Sequence, residues 1–182
     1  MLGLGCSADS SENVLIERCT ISCGDDHIAI KSGLDSFGLA VAKPSRNITV
    51  RGNTHLAGRG ISIGSEVSGG IEHVRIKDIS HLGPSEHGLH IKTSPTRGAY
   101  VRDVAYDNIT IGNVVDDFVI SLTTSYGGSH GSPPASALTE ISGVSYSNIR
   151  RGGSTIHDTG AGEWECFPKR PCTNFSMLEV GA

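Results

Sequence analysis

A short strand-like phrase recurs along this 182-residue chain at intervals of 26 to 40 residues. Segments repeated at such intervals are typical of solenoids, in which each repeat buries its inward face against its neighbours. The copies read NVLIERCTI, NITVRGNTH, HVRIKDISH, DVAYDNITI, GVSYSNIRR and, more faintly, NFSMLEV, and their second residues are Val14, Ile48, Val74, Val104, Val144 and Phe175.

A second phrase lies between these copies. It reads HIAIKSG from His27, GISIGSE from Gly60, GLHIKTS from Gly88 and FVISLTTS from Phe118. Alternating apolar residues indicate strands with one buried face, and the intervening Gly, Asn, Asp, Ser and Pro clusters indicate turns. No window of 11 residues shows helical periodicity. The segments 34–46 and 125–137 are the longest connections and could wall a groove.

Stacked strand pairs of this kind predict an all-β fold, a parallel β-helix of five to six coils that forms one domain over residues 1–182. A β-sandwich or a propeller also uses many short strands, but a phrase recurring coil after coil favours parallel stacking. The chain opens directly on a coil-like phrase. We therefore expect a missing N-terminal cap, and a first coil whose strand edges are open to self-association of an otherwise monomeric protein.

Charge and cysteine content exclude several classes of function. Lys and Arg number 15 and Asp and Glu 19, so a net charge of −4 predicts no nucleic-acid partner. No apolar run approaches the roughly 20 residues that span a bilayer, and the first residues do not read as a signal peptide. Of five cysteines, Cys166 and Cys172 frame a turn and could pair. Cys19 and Cys23 lack a second ligand pair at metal-binding spacing, so no metal is expected.

Two adjacent carboxylates, Asp25 and Asp26, stand at the entry of an apolar strand in SCGDDHIAIKSG. Alone, such a pair is most often a polar turn. Matching positions of the next coils, however, carry Arg59 and then His90 with Lys92, and stacking would bring these groups together. Two carboxylates beside cations suit cleavage of a glycosidic bond in an acidic polymer, with one acid protonating the leaving oxygen and the other activating water.

Other motifs carry weaker signals. Gly60 to Gly64 fits the G-x-S-x-G pattern, but Ser62 alternates with isoleucines in a strand and no helix follows, which argues against a serine nucleophile. Three asparagines match the glycosylation pattern, which turn asparagines of a solenoid also satisfy: Asn47, Asn108 and Asn174. The remaining histidines lack paired ligand spacing and are predicted at surface or turn positions: His55, His73, His81, His87, His130 and His157.

Three motifs together resemble the polygalacturonases of glycoside hydrolase family 28: GDD-x-IAIKSG, ISIGSE-x-SGG and IKT-x-x-x-RGAYV. The resemblance runs from about Ser10 to the C-terminus. It implies a secreted, right-handed parallel β-helix that hydrolyses α-1,4-galacturonosyl linkages of pectin with inversion and without a cofactor. By the same resemblance Asp25 is the general acid, Asp26 activates water, and Lys92 binds a galacturonate carboxylate.

The chain departs from the family pattern at three positions. A family aspartate that shares in water activation falls on Leu4, a histidine falls on Arg59, and an arginine falls on His90. These departures favour an alternative, a catalytically inactive β-helix that binds acidic polysaccharide through Lys92, Arg59 and Arg97. A polysaccharide lyase ranks last, because its calcium ion would need more carboxylates than Asp25 and Asp26 provide.

Overall fold

The computed structural model describes residues 3, 5–115, 118–127, 135–152 and 162–181. These residues form strands, one short α-helix and one 3-10 turn at Ala135–Ala137. In chain order the elements are β1 Cys6–Asp9, β2 Glu12–Glu17, β3 Thr20–Ile21, β4 Ile28–Lys31, α1 Asp35–Val41, β5 Ser45–Arg51, β6 Thr54–His55, β7 Ile61–Ile63, β8 Ile71–His81, β9 Leu89–Lys92, β10 Tyr100–Ile111, β11 Ile120–Thr123, β12 Glu140–Arg151, β13 Gly162–Trp164 and β14 Thr173–Val180.

The strands form two sheets, and the order of strands within each sheet confirms the parallel β-helix. One sheet runs β1-β4-β7-β9-β11-β13, and the other runs β14-β12-β10-β8-β5-β2 with β3 and β6 beside it. Every pairing between these strands is parallel. Six strands in the first sheet correspond to six stacked coils, at the upper end of the predicted number.

The register matches the alignment of the repeated phrase residue for residue. The second residues of the six copies are consecutive partners across the larger sheet: Val14, Ile48, Val74, Val104, Val144 and Phe175. The second phrase supplies β4, β7, β9 and β11 of the smaller sheet. The sequence reading missed β1 and β13 because CSAD and GEW are too short to show alternation.

The core lies between the two sheets and consists of stacked aliphatic columns. Residues that alternate along each strand of the smaller sheet point inward and are at most 1% exposed: Ile28, Ile30, Ile61, Ile63, Leu89, Ile91, Ile120 and Leu122. Because side chains alternate along a strand, one apolar column begins at each inward position and continues from coil to coil. The buried isoleucines and valines thus account for the apolar half of each repeated phrase.

Residues at two fixed positions of the phrase, most of them polar and two of them glycine, adopt a left-handed backbone conformation. Asn47 has φ 55°, and Gly52, five residues later, has φ 63°. Small or amide side chains tolerate this conformation best. The same spacing of five residues occurs in every copy: Asn13 and Arg18, Asn47 and Gly52, His73 and Asp78, Asp103 and Asn108, Gly143 and Asn148, Asn174 and Glu179.

Two of the three asparagines of the glycosylation pattern occupy these left-handed positions and bond to the neighbouring coil through their side chains. Asn47 donates from Nδ2 to Asn13 Oδ1 at 2.6 Å, and Asn108 donates from Nδ2 to Asp78 Oδ1 at 2.7 Å. Asparagine therefore has a structural reason to recur at these positions.

The segment 34–46 holds a helix that the sequence reading did not predict. Helix α1 covers only seven residues, too few to show a helical period, and it leaves Phe37 and Val41 exposed. The predicted pairing of Cys166 with Cys172 is confirmed as a disulfide, while Cys6, Cys19 and Cys23 are free thiols. No helix among the described residues is long and apolar enough to cross a membrane.

A stack of buried histidines contradicts the prediction that His55 and His81 lie at surface or turn positions. The two residues are register partners in β6 and β8, and His55 Nδ1 lies 3.1 Å from His81 Nε2. The ring of His27 stacks on that of His55 with centroids 4.6 Å apart. All three are at most 1% exposed. Sequence spacing along one strand could not reveal a cluster that forms between coils.

Burial lowers the pKa of His55 to about 3 and that of His81 well below its ordinary value of 6.5. The folded protein therefore resists protonation that the unfolded chain accepts below about pH 6.5. Stability is full above that pH and falls toward pH 3, by about 1.4 kcal/mol per pH unit for each such histidine.

We expect His55→Phe to flatten this loss of stability in acid, because phenylalanine keeps a ring in the stack but takes up no proton. Urea unfolding at pH 7 and pH 4.5 measures the difference. The exposed His73 serves as the control, and His73→Phe should leave the acid-induced loss undiminished. An equally steep loss in His55→Phe would contradict the assignment.

Candidate active site

Successive coils bring the candidate residues together just before the strands of the smaller sheet. Asp26, Arg59 and His87 each lie two residues before the first residue of β4, β7 and β9, and those first residues are register partners. Backbone bonds continue the stacking here, since Arg59 N donates to Asp25 O at 2.9 Å and His87 N to Arg59 O at 3.2 Å. Three coils thus contribute to one site.

Asp26 lies beneath the surface, and both of its carboxylate oxygens have partners. Lys92 Nζ donates to Asp26 Oδ2 at 3.0 Å, and Ser62 Oγ donates to Oδ1 at 2.7 Å. His87 Nε2 lies 3.5 Å from Oδ1. Burial raises the pKa of Asp26, but the nearby His87, the charge of Lys92 and the hydrogen bond from Ser62 outweigh it and hold this pKa well below its usual range. Asp26 is therefore an ionised carboxylate at all ordinary pH values.

Asp25 lies at a bend of the backbone before β4, and its side chain lines the pocket at the surface. Its side chain is 35% exposed, and Arg59 Nη1 lies 3.6 Å from its Oδ1. The backbone N–H of Asp26 also donates to that oxygen at 2.9 Å. Arg59 in turn pairs with Glu86 through Nε at 2.8 Å. The two carboxylates thus occupy different environments, one open to a ligand and one fixed below it.

These groups line a pocket of about 160 Å³ that carries both signs of charge. Lys31 pairs with Glu66 at 3.0 Å on one wall, and Lys92 Nζ lies 5.0 Å from the centroid of the Tyr126 ring. A second pocket, of about 320 Å³, shares Arg59. The first pocket is lined by Asp25, Asp26, Lys31, Arg59, Gly64, Ser65, Glu66, Lys92 and Tyr126.

His90 lies close to this cluster but carries no positive charge. It is 6% exposed, and its Nε2 is hydrogen-bonded to Thr123 Oγ1. Burial, with smaller contributions from His87 and Lys92, lowers the pKa of His90 to about 3. The imidazole is therefore neutral, and it can offer a hydrogen bond but no positive charge.

Arg97 does not line this pocket, but it contacts Ser65, which does. Its Nε donates to Ser65 O at 3.0 Å, and its Nη1 pairs with Asp35 of α1. Leu4, His130 and His157 lie outside the described residues.

The sequence reading missed several groups that line or support this site. His87 was predicted at the surface or in a turn, yet it is 4% exposed and contacts Asp26. Counting two residues back from each aligned strand would have found it. Ser62 is a fully buried strand residue whose hydroxyl supports a carboxylate, which fits the argument against a nucleophile. Lys31 belongs to the GDD-x-IAIKSG motif but was assigned no role, and Tyr126 lies in no quoted motif, because only the coil-to-coil packing brings them to the pocket.

The histidine stack brings one ring nitrogen from each of His27, His55 and His81 within 4.8 Å of one another, a spacing that a metal ion could bridge. A histidine binds a metal in the plane of its ring. The rings of His27 and His55 are stacked only 10° from parallel, so one ion cannot lie in both planes. His27 is also occupied, with Nδ1 accepting from Gly60 N at 3.0 Å and Nε2 donating to Leu56 O at 3.0 Å. The arrangement is that of a packing element.

Fold and site together define a parallel β-helix with paired carboxylates and cations in one groove, an arrangement suited to glycosidic-bond chemistry. Residues 5–181 match the family described as Glycosyl hydrolases family 28. The chain belongs to this family.

The names of similar proteins agree with membership of this family. A "Probable polygalacturonase" of Vitis vinifera is 36% identical over 181 residues, 97% of this chain and 35% of that protein. An "Endo-polygalacturonase" of Pectobacterium carotovorum subsp. carotovorum is 35% identical over 111 residues, 61% of this chain and 26% of that protein. The crystal structure of a hyperthermoactive exopolygalacturonase from Thermotoga maritima aligns with a TM-score of 0.77 and 25% identity, covering 98% of this chain and 44% of that one. The chain thus spans well under half the length of these relatives.

We expect Asp26→Asn to destabilise the fold by about 3–5 kcal/mol, because it leaves the buried Lys92 ammonium without its counter-charge. The double variant Asp26→Asn/Lys92→Met should recover much of that loss. Asp25→Asn is the matched control and should cost less than about 1 kcal/mol, since its ion pair is exposed to solvent. Urea unfolding of the four proteins measures these differences. A loss in Asp26→Asn no larger than in the control would contradict the buried ion pair.

Proposed function

We propose that this chain carries the groove of a glycoside hydrolase that cleaves α-1,4-galacturonosyl linkages of pectin or polygalacturonate. The observation that carries the proposal is the division of labour between two adjacent carboxylates. Asp25 is accessible in the groove beside Arg59, and Asp26 is fixed and ionised beneath it by Lys92. Membership of the family and the names of the relatives support the same reaction.

In this proposal the reaction inverts the anomeric carbon. Asp25 donates its proton to the leaving glycosidic oxygen as the bond to the anomeric carbon breaks. Asp26 accepts a proton from the attacking water, whose oxygen forms the new bond to that carbon. The products are a new reducing end and a free hydroxyl group. Asp25 is then restored by a proton from solvent, and Asp26 returns its proton to solvent.

Substrate binding is assigned to cations and to one neutral ring. Lys92 and Arg59 line the pocket and carry the charges that attract galacturonate carboxylates, and Lys31 lines the same pocket. Lysine and arginine both suit carboxylate ligands. His90 contributes a neutral imidazole near this surface, in place of a charge. No cofactor takes part in the proposed reaction.

We also propose a domain organisation, an oligomeric state and a location for the chain. We assign residues 1–182 to one β-helix domain and expect it to be a monomer. Where copies associate, we expect contact at the first coil, because β1 and β2 are the outermost strands of their sheets. We assign the domain to the cell exterior or the cell wall. The disulfide Cys166–Cys172 supports an oxidising compartment, because such bonds persist mainly outside the reducing cytosol.

Hydrolysis is tested by measuring the reducing ends released from polygalacturonate by the purified chain. Asp25→Asn should lower kcat/KM by about 10²-fold or more, because it removes the general acid. Asp78→Asn, an exposed aspartate on the other sheet, is the matched control and should leave kcat/KM unchanged. Release that persists in Asp25→Asn would refute this assignment.

A binding protein without catalysis is the second candidate, because the position of a further family aspartate falls on Leu4. Here the chain and its Leu4→Asp variant release no reducing ends, yet the chain is retained on immobilised polygalacturonate. Salt should release it, since exposed ion pairs are screened. Turnover by the chain itself would rule out this candidate.

A further inference from the structure

His87 forms no part of the reaction as proposed above, yet it is buried against the carboxylate on which that reaction depends. Its side chain is 5% exposed, and the side chain of Asp26 is 4% exposed. His87 Nε2 lies 3.1 Å from Ser62 Oγ and 3.5 Å from Asp26 Oδ1. Such burial keeps His87 out of contact with a ligand in the groove, so any part it plays is exerted through Asp26.

The direction of the hydrogen bonds follows from what each group can donate. An ionised carboxylate only accepts, so the single hydroxyl proton of Ser62 is donated to Asp26 Oδ1 at 2.7 Å. The Ser62 oxygen must then accept from His87, which places a proton on Nε2 of the imidazole. The order is His87 Nε2–H to Ser62 Oγ–H to Asp26 Oδ1. This chain of donors serves one oxygen, while Lys92 serves the other at 3.0 Å.

The three residues of the relay come from three successive coils, and the register between the coils fixes where each of them lies. Asp26 precedes β4, Ser62 lies within β7, and His87 precedes β9. Arg59 occupies the matching position of the middle coil but pairs outward with Glu86 and lies near Asp25. Ser62, and not Arg59, is therefore the residue of the middle coil that connects His87 with Asp26.

We propose that His87 and Ser62 form a buried relay that fixes the orientation of the Asp26 carboxylate, making His87 a positioning residue of this site. A base that accepts a proton from water must present one lone pair toward that water. With Lys92 holding Oδ2 and the relay holding Oδ1, the carboxylate cannot rotate. The catalytic part of this inference rests on the proposed hydrolysis, whereas the relay itself does not.

Other charged or titratable groups face His87 and have to be kept constant in any test. The ring of His90 lies edge-on with centroids 4.9 Å apart. His87 also contributes to the lowered pKa of His27 and of His81 in the buried stack. Lys92 shares the Asp26 carboxylate with the relay. A measurement on the Asp26 carboxyl carbon reads the relay directly and separates it from these neighbours.

The test is the carbon-13 chemical shift of the Asp26 carboxyl at pH 7, where the carboxylate is ionised and the fold is stable, in four proteins: the unmodified chain, His87→Leu, Ser62→Ala and the double variant. We expect each single variant to shift this resonance, because the carboxylate loses a hydrogen-bond donor or the group that orients that donor. The double variant should shift it little further, since both changes break one chain of bonds. His87→Gln, whose amide N–H can reach Ser62, should restore most of the unmodified behaviour.

Kinetics on polygalacturonate provide the second measurement. His87→Leu should lower kcat by about 10–100-fold with KM changed less than about threefold, because His87 touches the base and not the ligand. His73→Leu, an exposed histidine on the other sheet, is the control and should leave both constants unchanged.

The outcomes separate the relay from the reaction. An Asp26 carboxyl resonance that stays put in both single variants, or two shifts that add fully in the double variant, would overturn the relay whether or not the chain turns over substrate. A KM effect in His87→Leu as large as its kcat effect would overturn the positioning role. Absence of turnover in the unmodified chain, with the carboxyl resonance shifting as expected, would leave the relay standing and count against the proposed hydrolysis.

Discussion

The parallel hydrogen-bonded register between successive coils is the constraint on which the rest of this structure depends. A slip of one residue would turn every apolar column outward, so burial of the core and the register fix one another. Cross-coil ion pairs on the outer surface add to this, since Arg46 meets Glu12 at 3.0 Å and Arg102 meets Glu72 at 2.6 Å. The left-handed residues at fixed places in each phrase keep the coils alike in shape.

The site is a direct consequence of that register. Asp26 and Lys92 are 66 residues apart in the chain, yet their coils stack so that a 3.0 Å ion pair forms below the surface. Removing two charges from water is costly, and the geometry offsets that cost by giving both carboxylate oxygens donors. The same stacking leaves Asp25 in the groove. Two neighbouring aspartates thereby acquire different environments, one buried and ion-paired and the other open to solvent.

The register also gathers histidines, with a different result in each place. Between the sheets, His27, His55 and His81 stack as neutral rings and make the fold sensitive to acid. Beneath the groove, His87 is tied to a carboxylate through Ser62, and His90 is held neutral against Thr123. Position relative to the coil stack decides whether an imidazole packs against other rings or bonds to a polar group beneath the pocket.

Read by itself, the sequence determined the parallel β-helix, the alignment of its coils, the Cys166–Cys172 pair and the two carboxylates, because alternation and repetition are properties of the chain. It also placed Arg59 and Lys92 near those carboxylates, since coils must stack. Only the tertiary structure decided that His55, His81 and His87 are buried, that α1 forms in a connection, and that His90 carries no charge. Those outcomes depend on desolvation and on contacts between coils, which are distances in space that no spacing along the chain encodes.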